Sequence, residues 1–471
     1  MAWAGSITGD DLANADSVDA PVTGRLANHL LRVFGLGFGL AVVIGGTIGS
    51  GIMRNPGVVA AGFGSPTLVL LAWLGGGLFV CIDAMPTVEL GAAVPQAGGP
   101  YPLATRALGP FWGFIVGWAD WLQICISTGF ITVAFGEYIH RLGWAPGLTT
   151  GELAIGLVIA CGAVNWIGAK VSGLSQDVGS AIKAIGLIIL VALLFFAHPS
   201  TAVLPVYPPP MFTWAAAAVA MRAIYGAYGG WHAAVYFSEE VKHPQQNVAR
   251  ATFMGIALVT TIYFLVNAAV LHVLPIGVLA HSTLAVADAA KLVIGPASSI
   301  VVTGLAVIAV GTLANLQVME HARVTFAMSR NGMLPPVLAP VAKGGTPRRS
   351  LVAALTCTCL IIFAADQAKG PLYEILLNLY APMVMVVFFL LSVSAIWLRR
   401  TEPDLPRPWK MPLFPLPAVV SATLNLILLV FFLLSDWKTG IFSALLLALA
   451  VPIYLVGKGR WRDQSARSTT A

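Results

Sequence analysis

The chain has 471 residues, of which 58% are hydrophobic and 10% charged, and its formal net charge is +6. Soluble domains contain about 45–50% apolar residues, so this composition excludes an ordinary soluble domain and predicts an integral membrane protein. The positive charge does not indicate nucleic-acid binding, because most basic residues fall in loops on one predicted side of the membrane.

Twelve apolar stretches follow one another, most of them about 18–25 residues long, which suffices to cross about 30 Å of hydrocarbon. Clusters of glycine and proline, such as Gly64-Ser65-Pro66 and Pro208-Pro209-Pro210, separate them. These predicted spans 1 to 12 cover residues 34–62, 66–88, 111–139, 151–169, 175–197, 213–238, 250–274, 298–327, 349–365, 373–397, 413–434 and 438–457.

The distribution of basic residues predicts the orientation. With a cytoplasmic N-terminus, about 19 of the 26 Lys and Arg residues lie inside the cell, and about four, namely Arg141, Lys291, Lys369 and Lys438, lie outside. We therefore expect a multi-pass protein of the plasma membrane, or of the inner membrane in a bacterium, with cytoplasmic segments 1–32 and 458–471. The acidic first 30 residues lack the features of a signal peptide.

Two glycine-rich interruptions lie inside apolar spans, at Gly46-Thr47-Ile48-Gly49-Ser50-Gly51 in span 1 and at Gly226-Ala227-Tyr228-Gly229-Gly230 in span 6. A broken helix at membrane depth is tolerated only where its backbone is buried or lines a cavity. The broken ends offer amide groups to an anion and carbonyl groups to a cation. The pair therefore predicts a transport site. The alternative is a small-residue packing face between continuous helices.

Several short motifs follow one another along the chain. They are Gly49-Ser50-Gly51-Ile52, Glu89-Leu90-Gly91, Gly98-Gly99-Pro100-Tyr101, Tyr228-Gly229-Gly230-Trp231, Glu239-Glu240-Val241-Lys242-His243-Pro244, Ala327-Met328-Ser329-Arg330-Asn331-Gly332 and Pro403-Asp404-Leu405-Pro406-Arg407-Pro408. Together they resemble the amino acid–polyamine–organocation superfamily of permeases, and particularly its L-type amino-acid transporter branch. The resemblance implies an all-α fold of the LeuT type, in which residues 33–197 and 212–398 form inverted five-helix repeats and residues 411–457 add helices 11 and 12.

A zwitterion suits the two interruptions. The amides of Ser50, Gly51 and Ile52 begin the second half of span 1 and can hold a carboxylate. Carbonyl groups near Thr47, and at Gly226 and Gly229, can accept from a substrate ammonium, which is the arrangement that the family resemblance implies. The predicted substrate-binding residues are Thr47, Gly49, Ser50, Gly51, Ile52, Gly226, Ala227, Tyr228 and Gly229.

Lys183 lies in the middle of span 5, where a charged lysine is costly unless it is paired, hydrated or deprotonated. The resemblance implies that its amine occupies the place of a sodium ion and bonds carbonyls of span 1 near Ile44 and Gly45. Lys183 then either couples transport to protons or only braces span 1. Tyr263 matches a family tyrosine near this lysine, and it is alternatively a core aromatic residue.

Other residues are candidates for gating, specificity or coupling. Where relatives often carry a bulky gate residue this chain has Gly226, so Tyr225, Tyr228 or Trp231 is expected to act as the gate. His232 is a titratable candidate or a plain hydrogen-bonding partner. Glu320 is the predicted carboxylate for a proton or a substrate amine. Arg54 and Arg222 either attract an anionic substrate or pair with Asp83, Asp120 or Glu320.

Acidic residues at the inner ends of spans are expected to form cytoplasmic gating contacts. Glu89 ends span 2 and Glu239-Glu240 end span 6. Their predicted partners are loop arginines such as Arg106, Arg250 and Arg330. The five cysteines, all of them inside predicted spans, are expected to be packing residues.

No phosphate loop, His-Glu-x-x-His pair or nucleotide-binding domain is found, so we expect no enzyme, cofactor, resident metal or nucleic-acid partner. The predicted function is sodium-independent secondary permeation of a neutral amino acid, as a proton symporter or an exchanger. Alternatives are a polyamine, cationic or modified amine transporter, a channel or receptor, and an intramembrane enzyme using His232, His321 and Glu320. Segment 140–152 lacks the cysteine that joins L-type relatives to an ancillary subunit, so no disulfide-linked partner is expected.

Overall fold

The computed structural model describes residues 30–196, 205–295, 297–367, 372–435 and 437–460. Over these ranges the chain is helical, with one isolated parallel bridge between Phe34 and Val241 and no longer strand. The predicted all-α class is therefore confirmed. Most of the predicted cytoplasmic segments 1–32 and 458–471 lies outside the described residues, as does the acidic N-terminal stretch.

Each predicted span corresponds to one helix or to a pair of helices. The bounds are Leu36–Thr47 and Gly51–Phe63 for span 1, Pro66–Ala93 for span 2, Pro110–Arg141 for span 3, Thr150–Ile167 for span 4, Ala169–Phe196 for span 5, Trp214–Ala227 and Ala233–Tyr236 for span 6, Pro244–Val273 for span 7, Ser298–Arg330 for span 8, Arg348–Asp366 for span 9, Leu372–Thr401 for span 10, Leu416–Ser435 for span 11, and Trp437–Ala448 with Ala450–Arg460 for span 12.

Three short helices, Pro100–Leu108, Ile276–Ala280 and Ala285–Ile294, lie between spans and were not predicted. The last two follow span 7 in the loop that leads to span 8. Their apolar residues, among them Leu279 and Val286, are buried against the bundle. A hydropathy criterion for membrane crossing misses them because they are too short to span the hydrocarbon.

Within the described ranges, ten helices are long and apolar enough to cross a membrane, or eleven when the two helices of span 1 count as one bent span. Helices 1a (Leu36–Thr47) and 1b (Gly51–Phe63) meet at 48°. Span 6 is absent from that set because helix 6a (Trp214–Ala227) has only 14 residues before the chain turns into helix 6b (Ala233–Tyr236). The twelve-span count and the inverted repeat stay predictions.

Proline and glycine place several helix boundaries. Pro66, Pro110 and Pro244 occupy the first turn of their helices, where the missing amide hydrogen costs nothing. Gly64 ends helix 1b in a left-handed conformation with φ +63°, which glycine adopts without a steric penalty. These boundaries explain why the span limits predicted from hydropathy are close to those observed.

The interrupted spans lie side by side inside the bundle. Helix 1b packs against helix 6a, span 2 against span 7, and span 3 against spans 8 and 10, while span 11 adds to span 10. Large apolar side chains such as Leu78, Ile159 and Ile189 project outward and are more than half exposed. An apolar exterior of this extent is what a lipid-facing surface requires. The chain is therefore a multi-pass membrane protein.

Candidate functional site

The interruption of span 1 leaves a row of free amide groups. Helix 1a ends at Thr47, and Ile48 is extended with φ −76° and ψ 96°. Among the described residues, the amide groups of Gly49, Ser50, Gly51 and Ile52 have no hydrogen-bond partner. Ser50 and Gly51 are only partly buried. Because these amides begin helix 1b, they form an N-terminal cradle suited to an anion.

The interruption of span 6 has a different form. Helix 6a ends at Ala227, and a turn follows in which Gly230 has φ +97°. The amide of Gly229 donates to the carbonyl oxygen of Gly226 at 3.3 Å. The Gly226 carbonyl was predicted to be free, and it is not. The carbonyl oxygen of Gly229 accepts no hydrogen bond within the described part of the chain, and it remains available to a cation.

The two interruptions cross in close contact, which only glycine permits. A Cβ atom at Gly46 would lie 2.8 Å from the carbonyl oxygen of Gly230, and one at Gly230 would overlap the carbonyl group of Gly46. A Cβ atom at Gly51 would lie 3.1 Å from Cα of Ala227. The packing alternative thus describes the close approach correctly, but the approach occurs at two breaks and not between continuous helices.

Lys183 reaches this crossing from span 5. Its ammonium donates to the carbonyl oxygens of Gly45 at 2.6 Å and Ile48 at 2.8 Å, and its side chain is fully buried. The contact with Gly45 agrees with the prediction, whereas the predicted contact with Ile44 is wrong. The carbonyl oxygen of Ile44 instead accepts the amide of Ile48, at 2.9 Å, as the last hydrogen bond of helix 1a.

Tyr263 of span 7 joins the two breaks. Its hydroxyl lies 2.8 Å from the carbonyl oxygen of Thr47 and 2.9 Å from that of Ala227, and its ring is fully buried. The Thr47 carbonyl therefore already has a donor, which the sequence analysis did not foresee. Tyr228 turns away from the gap, because its hydroxyl donates to the carbonyl oxygen of Trp73 at 2.9 Å.

The two arginines above the breaks do not contact the predicted acids. Arg54 pairs with Glu137 of span 3 at 3.2 Å and lies over the ring of Tyr373 of span 10 at 5.4 Å. Arg222 lies over the ring of Phe432, 5.8 Å from its centroid. The predicted pairing with Asp83, Asp120 or Glu320 is wrong, because no ion pair among the described residues joins either arginine to one of those carboxyl groups.

Asp83 of span 2 forms a separate buried cluster. It accepts from Ser421 at 2.6 Å, from Asn425 at 2.8 Å and from Tyr225 at 3.4 Å. Tyr225, a predicted gate residue, is therefore held by a carboxyl group through its hydroxyl. Gly226, the residue after it, is exposed, and a Cβ atom there would meet open space.

The other gate and specificity candidates lie on the chain that follows the span 6 break and on span 8. Trp231 stacks on Phe388 of span 10, with ring centroids 5.1 Å apart. His232 is buried, and its Nδ1 atom has no hydrogen-bond partner. Glu320 of span 8 is 5% exposed and makes no hydrogen bond with any described residue. Its neighbour His321 contacts the thiol of Cys125 at 3.1 Å.

Ion pairs join the chain that follows helix 6b to span 8, on the side predicted to be cytoplasmic. Glu239 accepts both guanidinium branches of Arg330, at 2.8 and 2.9 Å, as the sequence predicts. Burial alone would raise the pKa of Glu239, but the hydrogen bonds and charge of Arg330 hold that pKa below its ordinary value. Glu240 forms a bidentate, fully buried pair with Arg323, a partner that was not predicted.

A second set of ion pairs joins span 2 to the loop between spans 10 and 11. Glu89 accepts from Arg399 at 2.7 Å and from the amide of Met411 at 2.6 Å, and Arg407 lies 3.5 Å away. Arg106 pairs with Glu402 instead of the predicted acids. The partners of Glu89 come from the chain around the Pro403–Pro408 motif. They were not predicted because more than 300 residues separate them from Glu89 in the sequence.

Arg250 contacts none of the three predicted acids, so that part of the prediction is wrong. The bridge between Phe34 and Val241 was also missed. In it, the amide of Phe34 donates to Glu240 at 3.0 Å and its carbonyl accepts from Lys242 at 2.8 Å. Over the described ranges no group of three or more His, Cys, Asp or Glu residues is arranged to hold a metal ion.

These features define a multi-pass helical membrane protein of the permease class, with two broken helices crossing in its interior. The chain belongs to the amino acid permease family, whose model matches residues 30–456. The family recognised from the sequence motifs is thereby confirmed. Because the relatives described below are transporters, the comparison also supports a protein that is not an enzyme.

Three relatives illustrate the similarity. The serine/threonine exchanger SteT of Bacillus subtilis (strain 168) is 28% identical over 92% of this chain and 98% of its own length. The human large neutral amino acids transporter small subunit 2 is 30% identical over 91% of this chain and 81% of its own length. The human Asc-type amino acid transporter 1 is 28% identical over 92% and 84%, respectively.

Proposed function

We propose that the chain is a sodium-independent secondary permease that moves a neutral amino acid by alternating access, as an exchanger or a proton symporter. One observation carries the proposal: four consecutive amides of span 1 are free at a break that contacts the break of span 6, where the Gly229 carbonyl is also free. A substrate with an anionic and a cationic end satisfies both sets at once. The names of the relatives support amino acids as that substrate.

The proposed binding follows from the polarity of the broken ends. The substrate carboxylate accepts from the amides of Gly49, Ser50, Gly51 and Ile52, which carry the positive end of the helix 1b dipole. The α-ammonium donates to the Gly229 carbonyl and to the second lone pairs of the Thr47 and Gly226 oxygens. The side chain then extends toward spans 3, 6, 8 and 10, so its pocket decides which amino acid is taken.

Sodium independence is supported by the position of Lys183. Its ammonium supplies a positive charge to two carbonyl oxygens of the span 1 break, at 2.6 and 2.8 Å, where a sodium ion would otherwise satisfy them. Alternating access is supported by the ion pairs on the cytoplasmic side, which join spans 6 and 8 and must part for an inward opening.

Reconstitution in proteoliposomes tests the proposal. We expect unlabelled internal amino acid to accelerate uptake of labelled serine or leucine, with equal rates when choline replaces sodium. Imposing an inward proton gradient separates the two coupling modes, since only a symporter accumulates substrate without an internal partner. Uptake that needs sodium contradicts the role of Lys183. Uptake without counterflow stimulation favours a channel and contradicts alternating access.

We propose further that this chain acts in a plasma or inner membrane, with both termini in the cytoplasm, and without a disulfide-linked subunit. One relative is named a small subunit, which raises the question of a partner. The loop between spans 3 and 4 of this chain has no cysteine, and all five cysteines lie free within helices of the described part. Non-reducing electrophoresis of the native protein tests this, and a reducible heavier band would contradict it.

A further inference from the structure

Basic side chains from several segments meet at one corner of the predicted cytoplasmic side. A single residue, Gly168, separates span 4 from span 5. The loop between spans 8 and 9 packs on this tight turn, because the amide of Ala169 donates to the carbonyl oxygen of Gly344 at 2.9 Å. Lys170 and Lys343 are the chain neighbours of these two bonded residues, so both lie at the turn.

Arg348, at the start of span 9, belongs to the same corner. Its Nε atom donates to the carbonyl oxygen of Trp166 at 3.1 Å, and its guanidinium lies 4.9 Å from the centroid of the Trp166 ring. The nearby Thr346 donates to the carbonyl oxygen of Asn165 at 3.0 Å. These donors satisfy carbonyl groups at the end of span 4, where a helix leaves its last carbonyls without a partner of its own. Hydrogen bonds therefore hold Arg348 at the turn.

The chain before helix 1a adds a fourth basic residue. A Cβ atom at Gly345 would lie 3.2 Å from Cδ1 of Leu31 and 3.4 Å from Cβ of Ala169. Leu31 therefore packs at the turn between spans 4 and 5, and the exposed Arg32 follows it directly. We call this set of residues the basic corner, and its members are Arg32, Lys170, Lys343 and Arg348.

The basic corner has no anionic partner among the described residues. None of the ion pairs in that part of the chain includes any of its four members. Arg32, Lys170 and Lys343 are exposed, and Arg348 is partly exposed. Like charges that are held together repel one another. An anion that binds between them removes this repulsion, so the corner is complementary to a negatively charged group.

Exposed apolar side chains lie beside the basic corner at the ends of spans 4 and 5. Trp166 is 45% exposed, Ile167 is 62% exposed and Val171 is 44% exposed. Tryptophan is enriched at the boundary between headgroups and hydrocarbon, and basic pockets between helices on the cytoplasmic side suit lipid headgroups. A lipid would place its phosphate at the corner and its acyl chains against this apolar surface. A soluble anion would use only the basic half.

We propose that the basic corner is a binding site for the phosphate headgroup of an anionic phospholipid, in the leaflet on the predicted cytoplasmic side. The proposal goes beyond the amino-acid permease function and does not depend on it. The ammonium groups of Lys170 and Lys343 donate to the phosphate oxygens. The terminal nitrogens of Arg348, which its bond to Trp166 does not use, donate as well, since a guanidinium suits a phosphate.

Thermal unfolding of the purified protein in detergent tests the site, because a ligand that binds only the folded form raises the melting temperature. Phosphatidylglycerol is the probe, and phosphatidylcholine, which has no net charge, is the comparison. We expect a saturable rise with phosphatidylglycerol and none with phosphatidylcholine. Glycerol 3-phosphate carries the phosphate without acyl chains, and we expect no rise at the same concentration. An equal rise with phosphatidylcholine or with glycerol 3-phosphate would overturn the lipid site.

Two double variants then assign the residues. Lys170→Gln with Lys343→Gln should raise the phosphatidylglycerol concentration for the half-maximal rise about tenfold or more, since each basic residue near an anionic surface contributes about fivefold in affinity. Lys242→Gln with Arg250→Gln removes two exposed charges from the same predicted side and is the matched control, with an expected change of less than about twofold. Equal changes in the two double variants would indicate general attraction by positive charge and overturn the site.

The acidic stretch of the chain that precedes Arg32 is the competing partner for the basic corner. It contains Asp10, Asp11, Asp16 and Asp19. For a lipid site, we expect wild type and the Lys170→Gln, Lys343→Gln variant to melt at the same temperature in phosphatidylcholine. A lower melting temperature of the variant in phosphatidylcholine, together with an unchanged response to phosphatidylglycerol, would assign the corner to the acidic stretch and overturn the proposal.

Discussion

The ammonium of Lys183 lies 2.8 Å from the carbonyl oxygen of Ile48, the residue at which helix 1a has given way to extended backbone. The same ammonium also holds Gly45, on the last turn of that helix. A buried amine from span 5 therefore stabilises the interruption of span 1. The same contact supports the broken backbone and underlies the proposed sodium independence.

Lys183→Ala should lower amino-acid uptake by about tenfold or more in proteoliposomes. The change removes two charge-assisted hydrogen bonds and leaves two buried carbonyl oxygens without donors, at a cost of about 1–3 kcal/mol each. Lys291→Ala, an exposed side chain on the short helix Ala285–Ile294, is the control and should leave uptake unchanged. Unchanged uptake in Lys183→Ala, with normal protein yield, would contradict a role for the ammonium at the break.

Tyr263→Phe should slow counterflow more than it weakens substrate binding. The hydroxyl links the Thr47 and Ala227 carbonyls, so its loss removes one connection between spans 1 and 6 while the amide cradle stays intact. We expect an exchange rate lowered several-fold, as a loss of about 1–1.5 kcal/mol would give. Tyr207→Phe is the matched control, because Tyr207 lies between spans 5 and 6 and stacks on His281 through its ring. Equal exchange rates in both variants would contradict the coupling.

Gly230→Ala should lower the melting temperature of the purified protein. A methyl group at φ +97° is strained and overlaps the Gly46 carbonyl, so we expect a loss of about 2 kcal/mol or more. Gly156→Ala adds the same methyl group on an open surface of span 4, where nothing lies within 4 Å, and should not destabilise the protein. Equal melting temperatures for the two variants would show that the breaks do not cross as described.

Glu89→Gln and Glu402→Gln should differ sharply in their effect on stability. Glu89 is 2% exposed and its removal leaves Arg399 and Arg407 without their buried partner, so a loss of about 3–5 kcal/mol is expected. The pair of Glu402 with Arg106 is solvent-exposed and contributes about 0–1 kcal/mol. Thermal unfolding in detergent measures both. Similar losses in the two variants would contradict the difference in burial.

The Glu402 pair also predicts a direction with pH. The hydrogen bond from Arg106, together with its charge, lowers the pKa of Glu402 below the ordinary value. A carboxyl group with a depressed pKa in the folded state stabilises the protein above its unfolded pKa, and this contribution disappears as the pH falls through the folded value. The small stability difference between wild type and Glu402→Gln should therefore vanish in acid. A difference that grows in acid would contradict the assignment.

The sequence predicted the helical class and the residues of both interruptions, because hydropathy, proline and glycine act locally along the chain. The family, and the contact of Lys183 with span 1, were implied by the resemblance of the motifs. The carbonyl groups that accept these hydrogen bonds were less predictable. Lys183 donates to the carbonyl oxygen of Ile48 and not to that of Ile44, and the carbonyl oxygen of Thr47 accepts from Tyr263. Which oxygen a side chain reaches depends on how far the helix has unwound, and that is decided by packing.

Charged residues were the least predictable from sequence. Arg54 pairs with Glu137, and Glu89 with Arg399, although neither pair was foreseen. A buried charge must find a partner, and the sequence establishes that need. It does not establish which of several candidate partners lies within about 4 Å, because the distance depends on the relative rotation of two helices.

By itself, then, the amino-acid sequence determined that the chain enters a membrane, that two of its helices break at glycine, and that a lysine lies in the middle of span 5. These follow from local propensities and from the cost of placing polar groups in hydrocarbon. Only the tertiary structure decided that the breaks cross and that Tyr263 joins them, since contacts between residues distant in sequence arise when helices pack.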